Sequence, residues 1–278
     1  MKNTLSGTAE LCAHVGLDEE PFGIFYSDEK PADGFGPKEG APISRELEEQ
    51  GKLDYGKILS NFTCFLGSIW LARRKKKAAY ISAKEYGCFG GGFYTGMYSP
   101  NLRIIPAYVS TGIPNIMHGE RYMPSPEAMQ TFLDKYPPRK APAAYCIAKP
   151  LSCFTESETP ELIVFFARPE SMTGLYTLTT FATGDPEIVA SPFGAGCGHL
   201  VAWPFYYQAQ GKERAVLGSF DPSARKFLKT DELTFTVPLG LYGKMLEALP
   251  TSAFTAECWP TVKSKIARSR KAWGETGS

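Results

Sequence analysis

The sequence lacks the features that mark several classes of protein. None of its uncharged apolar runs approaches the roughly 20 residues that span a bilayer. The first ten residues contain no apolar segment of the kind found in a secretory signal. Thirty basic residues against 29 acidic ones leave a net charge of +1, so no overall field attracts nucleic acid or an anionic membrane. We therefore expect a cytoplasmic protein without nucleic-acid or membrane partners.

Common catalytic and metal-binding motifs are also missing. There is no G-x-x-x-x-G-K-[ST], no G-x-S-x-G and no H-E-x-x-H, and the glycines at 194–198 lack the dinucleotide-binding spacing. Three histidines leave little for a histidine-based metal site or triad. The seven cysteines include no C-x-x-C pair, which excludes the compact zinc and ferredoxin patterns.

What the chain has is enough apolar sequence for a large core. Of its 278 residues 43% are hydrophobic and 13% aromatic, as in globular proteins. Helical and strand patterns alternate along the chain, which predicts a single α+β body with a mixed β-sheet. The predicted helices are 4–17, 61–77, 124–136, 171–183, 197–209, 238–249 and 258–273. The predicted strands are 21–27, 78–82, 144–148, 161–167, 187–190, 215–220 and 233–237. The segments 28–42 and 99–126 are rich in proline and glycine, and we expect them to be irregular.

Three cysteines stand at unusual places in this plan. With Ser60 or Asn61 as helix N-cap, Cys64 falls in the first turn or shortly after it. Cys197 opens a helix after a glycine-rich turn, and Cys88 lies in the glycine-rich turn 87–92. The unpaired N–H groups of a helix start lower the pKa of a cysteine, and the thiolate is the form that binds metals and acts as nucleophile.

The glycines beside these cysteines add to the prediction. Gly196 and Gly198 flank Cys197. Glycines let the backbone approach a ligand closely and present N–H donors to it. Donors to sulfur tune iron–sulfur clusters, so we count both glycines as candidate cofactor contacts.

The order of elements suggests an internal duplication with halves at roughly 1–140 and 141–278. Each half has a strand that begins at a proline, and about forty residues later a cysteine at a helix start. In each half that helix ends near basic residues and is followed by a strand. The arrangement relates Cys64 to Cys197 and places both at strand–helix junctions, where open sheets bind ligands.

Several segments resemble the domain of unknown function 169 family over nearly the whole chain. They are the turn 168–172, the segment 196–198, the stretches 217–225 and 231–238, and Cys64 with the Cys88-x-Gly-Gly sequence. The resemblance implies that Cys64, Cys88 and Cys197 match cysteines of the family pattern and that Arg225 matches an arginine. It implies no established activity. The basic run 73–77 departs from the family pattern.

We hypothesise that Cys64, Cys88 and Cys197 hold an iron–sulfur cluster or another thiophilic metal, with an open position for a small-molecule substrate. The fourth ligand would be Cys146, Cys153, His199 or an exogenous molecule, and Arg225 would contact an anion or substrate.

Two alternatives remain open. One is a metal-free binding module whose glycine turns hold a small anion while the cysteines are core residues. The other is a thiol enzyme with Cys197 as nucleophile, for which His199 is the nearest candidate base.

Overall fold

The computed structural model of the protein describes residues 2–60, 63–98 and 102–274. In chain order the strands are β1 (Phe22–Ser27), β2 (Gly34–Phe35), β3 (Ala78–Ser82), β4 (Gly112–Ile113), β5 (Met117–His118), β6 (Tyr145–Pro150), β7 (Leu162–Ala167), β8 (Val189–Ala190), β9 (Ala215–Gly218) and β10 (Leu233–Pro238). The helices are α1 (Lys2–Val15), α2 (Arg45–Glu49), α3 (Tyr55–Ser60), α4 (Phe65–Lys75), α5 (Phe89–Tyr94), α6 (Ile104–Val109), α7 (Pro126–Lys135), α8 (Pro169–Thr183), α9 (Trp203–Ala209), α10 (Leu239–Ala248) and α11 (Trp259–Ala272). The predicted α+β class with a mixed sheet is confirmed.

Eight strands form the central sheet, in the order β2-β3-β6-β1-β7-β10-β9-β8. The outer pairs β2/β3 and β8/β9 are parallel, and the pairs between them are antiparallel. The order is the same when read from either edge: second, third, fourth and first strand of a four-stranded unit. The boundary between the two units lies between Pro150 and Leu162, later than residue 140. A duplication of the chain stays a prediction that this order favours.

Helices cover both faces of the sheet. The helices α1, α8 and α10 pack together on one face, over a core that includes Phe25, Ile163 and Phe165. The other face carries α4, α5 and α9, over a core that includes Ile24 and Val164. Neighbouring residues of a strand point to opposite faces, which is why Ile24 and Phe25 belong to different cores. The cysteines at 64, 88 and 197 lie on the second face.

The composition of segment 99–126 predicts an irregular chain, but part of the segment is regular. It contains α6 and the hairpin of β4 and β5, while residues 99–101 lie outside the described residues. Pro106 is the third residue of α6. Proline is tolerated in a first turn, because the N–H that it lacks has no helical partner there.

The segment 87–92 is also more regular than predicted, since Gly90–Gly92 belong to α5. The ring of Tyr98 lies where a side chain of Gly92 would be. The close packing of this ring on the helix backbone requires glycine and outweighs its poor helix propensity.

The basic run at the end of α4 is only partly exposed to solvent. The Arg73 side chain is 7% exposed and donates to Glu19 and Glu232, with N–O distances of 2.9 Å to each, while Arg74 and Lys75 are exposed.

Among the helices of the described ranges, none combines the length and the apolar character that crossing a bilayer requires.

Candidate thiol site

Two of the three predicted cysteines are N-cap residues. Cys64 caps α4 instead of lying in its first turn, because Ser60 ends the preceding helix; Asn61 lies outside the described residues. Cys88 caps α5, and its sulfur accepts a hydrogen bond from the Gly91 N–H at 3.2 Å. Both residues have the extended backbone typical of an N-cap, so both side chains lie beside exposed helix N–H groups.

Gly87 allows the chain segments before these two cysteines to come into contact. Its φ of +69° lies in the left-handed region, and a Cβ on it would overlap the carbonyl oxygen of Thr63. Glycine is therefore required, and its absence of a side chain lets the two N-caps lie side by side.

Cys197 reaches the same place from the second half of the chain. It precedes a π-helical turn, Gly198–Ala202, that leads into α9, and it is 4% exposed. A Cβ on Gly196 would lie 3.1 Å from Leu66 on α4, and one on Gly198 would lie 3.2 Å from Tyr94 on α5. The small residues around Cys197 thus let its turn pack between the two helices that Cys64 and Cys88 cap.

The three thiols form a hydrogen-bonded cluster centred on Cys64. Hydrogen bonds from Cys197 and Cys88 hold the pKa of Cys64 well below its ordinary value, and the N–H groups of Gly67 and Leu66 add to this effect. The bond to Cys64, together with burial, raises the pKa of Cys88 and of Cys197. Of the three clustered thiols, Cys64 is therefore the one whose thiolate form is stabilised.

Two carboxyl groups beside the cluster are absent from the sequence hypothesis. Burial, the charge of Asp221 and the charge of Cys64 raise the pKa of Glu120 to about 7, against the effect of a hydrogen bond from the Tyr108 hydroxyl. Asp221 is 8% exposed and accepts from the Tyr122 hydroxyl at 2.7 Å. Asp221 caps a 3₁₀ helix within the sequence Asp-Pro-Ser, a pattern that could have been noticed; Glu120 has no such signal.

Arg225 and His199 make backbone contacts. The Arg225 guanidinium donates to the carbonyl oxygens of Lys229 at 2.9 Å, Thr230 at 2.7 Å and Glu232, and so fastens the loop before β10. The predicted ligand contact of Arg225 stays a prediction. His199 pairs Nε2 with the Pro192 carbonyl at 2.8 Å and accepts at Nδ1 from the Ser219 N–H at 3.3 Å.

These contacts of His199 change its candidate role. Burial lowers the pKa of His199, so the ring is neutral, with its proton on Nε2. Both nitrogens are engaged by the backbone, and the side chain is therefore not positioned as a base for Cys197. Of the other predicted fourth ligands, Cys146 is buried on β6 and acts electrostatically on Cys197, whereas Cys153 is exposed.

A family model described as uncharacterised ArCR, domain of unknown function 169, matches residues 10–248. The protein belongs to this family. The match includes all three clustered cysteines, both carboxyl groups and Arg225, and it ends at the last residue of α10. No curated protein and no solved structure matches the chain.

A cleft of about 260 Å³ opens beside the cluster in this family member. Its walls include Tyr122, Phe193, Ala195, Phe220 and Asp221. Asp221 joins the cleft to the cluster, because it also accepts from the N–H of Gly196 at 3.4 Å.

The described residues contain no group of three or more His, Cys, Asp or Glu side chains arranged to hold a metal ion. The three thiols lie close enough to change one another's pKa, but they are not arranged as a coordination sphere.

Proposed function

We propose that this protein binds a thiophilic metal ion, or an iron–sulfur cluster, in the cytoplasm through Cys64, Cys88 and Cys197. The observation that supports the proposal is the convergence of two thiol hydrogen bonds on the Cys64 thiolate. With metal–sulfur bonds of about 2.3 Å, the sulfurs of a tetrahedral site lie about 3.8 Å apart, close to the separation of hydrogen-bonded thiols. A metal ion would displace the two thiol protons and bind all three sulfurs, which would then stay close together as ligands of the same ion.

The two kinds of group make different demands on the cluster. A single ion requires the side chains to rotate into a coordination geometry, whereas a [4Fe–4S] cluster requires them to move apart, since each sulfur would bind a different iron. A bound metal would supply a Lewis-acid or electron-transfer centre beside the cleft. The chain's own part is to hold the thiolate at helix starts and to limit access of water.

The charges around the cluster favour a cation over an anion. The negative charges of Asp221 and Cys64 both raise the pKa of Glu120, so the three groups lie close to one another. The Gly196 N–H, which a small anion would need, already donates to Asp221. This arrangement disfavours the alternative of a metal-free module for anions.

A thiol enzyme is the second candidate function, with Cys64 in place of Cys197 as nucleophile. Among the three clustered thiols, the pKa of Cys64 is lowered and that of Cys197 is raised. A nucleophile must be ionised at working pH, so Cys64 is the better placed residue.

Anaerobic purification tests the proposal. We expect about one metal site per chain, measured as iron, zinc and sulfide together with the absorption spectrum. Cys64→Ser should lose the metal, and Cys258→Ser, which changes an exposed cysteine, should retain it. A folded wild-type protein without colour or metal would contradict metal binding and favour the thiol enzyme.

A further inference from the structure

Helix α11 concentrates positive charge at the end of the described chain. Its 14 residues include five basic side chains and no acidic one. The net charge of the whole chain is only +1, so the remainder is acidic overall. The basic residues are Lys263, Lys265, Arg268, Arg270 and Lys271.

The same helix exposes apolar side chains. Val262 is 37% exposed and Ile266 is 41% exposed, and Trp273, directly after the helix, is 83% exposed. Spacings of four and seven residues place the three on one side of the helix. All of Trp259–Ala272 is described, and none of it is buried. We refer to Val262, Ile266 and Trp273 as the apolar stripe.

Two contacts hold the helix against the body of the protein. At its start the rings of Trp259 and Phe254 pack with centroids 5.2 Å apart. Near its end Arg270 pairs with Glu170 on α8. The family match ends at residue 248, so α11 lies outside the matched residues.

We propose that α11 binds the surface of an anionic lipid membrane. An amphipathic basic helix lies in the interfacial plane, with its apolar side chains among the acyl chains and its cations at the headgroups. Tryptophan prefers the same interface, and long Lys side chains reach the headgroups from below. The expectation of no membrane partner rests on the charge of the whole chain, which averages over this helix.

The other occupants fit the helix less well. A second copy of α11 would bring five like charges against five, which opposes pairing. Nucleic acid would bind the cations through its phosphates but would leave the aliphatic stripe in water. Of these three occupants, the lipid surface is the one that uses both the charge and the stripe.

Co-sedimentation of the full chain with vesicles tests the proposal. We expect binding to phosphatidylcholine vesicles that contain about one third phosphatidylserine, no binding to phosphatidylcholine alone, and weaker binding as salt increases. Each cation at an anionic surface contributes roughly a fivefold gain in partitioning. Changing Lys263, Lys265 and Arg268 together to Gln should therefore reduce binding about a hundredfold.

Two further variants distinguish the contribution of α11 to vesicle binding from that of the net charge of the protein. Lys75, Lys84 and Lys140 are exposed cations on other elements, and changing all three to Gln should leave binding within about twofold of wild type. The exposed stripe can be changed with little effect on folding, and serine at all three of its positions should reduce vesicle binding at least tenfold. Circular dichroism confirms that each variant is folded.

Three results would overturn the proposal. The first is no sedimentation with anionic vesicles. The second is an equal loss of vesicle binding in the α11 charge variant and in the control charge variant, and the third is vesicle binding that survives serine at the three stripe positions. Tight binding of duplex DNA without vesicle binding would assign the basic residues of α11 to nucleic-acid binding instead.

Discussion

Cys64 accepts hydrogen bonds from two thiols and from the N–H groups at the start of α4. These contacts stabilise its charged form more than burial penalises it. Cys12, in contrast, has a pKa raised to about 11 by burial and by the charge of Glu20. The chain therefore contains two partly buried cysteines with opposite ionisation behaviour.

Alkylation of the metal-free protein tests this difference. The rate at which Cys64 reacts with iodoacetamide should level off at a lower pH than that of Cys12, because its pKa is lowered and that of Cys12 is raised. Cys12 should stay slow, with a rate that rises about tenfold per pH unit. Peptide mapping by mass spectrometry measures both sites in one sample. A Cys64 rate that climbs with pH as that of Cys12 does would contradict the thiolate assignment.

Glu120 links stability to pH. Its pKa of about 7 in the folded protein lies above its ordinary 4.5, so the folded state binds more protons than the unfolded state between these values. Stability contributed by this group is present at low pH and is lost as pH rises through 7. We expect Glu120→Gln to increase the free energy of unfolding by about 2 kcal/mol at pH 8, after allowance for partial exposure, and to change it little at pH 4.

Urea unfolding at both pH values measures the Glu120 effect. Glu257→Gln is the control, since it removes the same charge from an exposed position. An equal gain in the two variants at pH 8 would assign the effect to net charge.

At the scale of elements, the thiol site is a meeting of helix starts. The N-caps of α4 and α5 lie side by side because Gly87 permits the contact with Thr63. The turn before α9 packs against both helices through Gly196 and Gly198. The position of the cysteines therefore depends on these glycines.

Gly87→Ala should disrupt this junction. The new methyl group would overlap the Thr63 carbonyl and would also require a strained φ, so we expect a loss of about 3 kcal/mol in the free energy of unfolding. Gly211→Ala is a matched control: its φ is +70°, and nothing lies within 4 Å of the added Cβ. The control should lose only about 1 kcal/mol in urea unfolding. Similar losses in the two variants would mean that backbone strain alone is responsible.

The sequence predicts elements well where one local pattern dominates. The apolar run at β7 and the capped helix α8 lie within two residues of their predicted bounds. The prediction fails where distant contacts decide. Gly92 is part of a helix on which the Tyr98 ring packs closely, and Glu120 reaches the site through a hairpin without a motif. Arg73, from a run of five basic residues, is buried by Glu19 and Glu232, which are remote in sequence.

At the scale of the molecule, the thiol cluster joins the two four-stranded units. Cys64 and Cys88 belong to the first unit, and Cys197 belongs to the second. A ligand bound by all three cysteines would tie the units together, and it would stabilise only the folded state, because the unfolded chain separates the thiols.

Thermal unfolding tests this link between the units. Zinc at about a thousandfold above its dissociation constant should raise the melting temperature of the metal-free protein by roughly 10 °C. Cys64→Ser and Cys197→Ser should abolish the shift, although they change different units, and Cys153→Ser should preserve it. A shift that persists in either of the first two variants would place zinc elsewhere.

The sheet ends at both edges in a strand of two residues, Gly34–Phe35 and Val189–Ala190. An open sheet edge is a template on which another chain can add a strand. Strands this short offer too few free backbone groups for such pairing, while the long strands lie inside the sheet. The short outer strands thus protect the protein against edge-to-edge aggregation at both ends of its sheet.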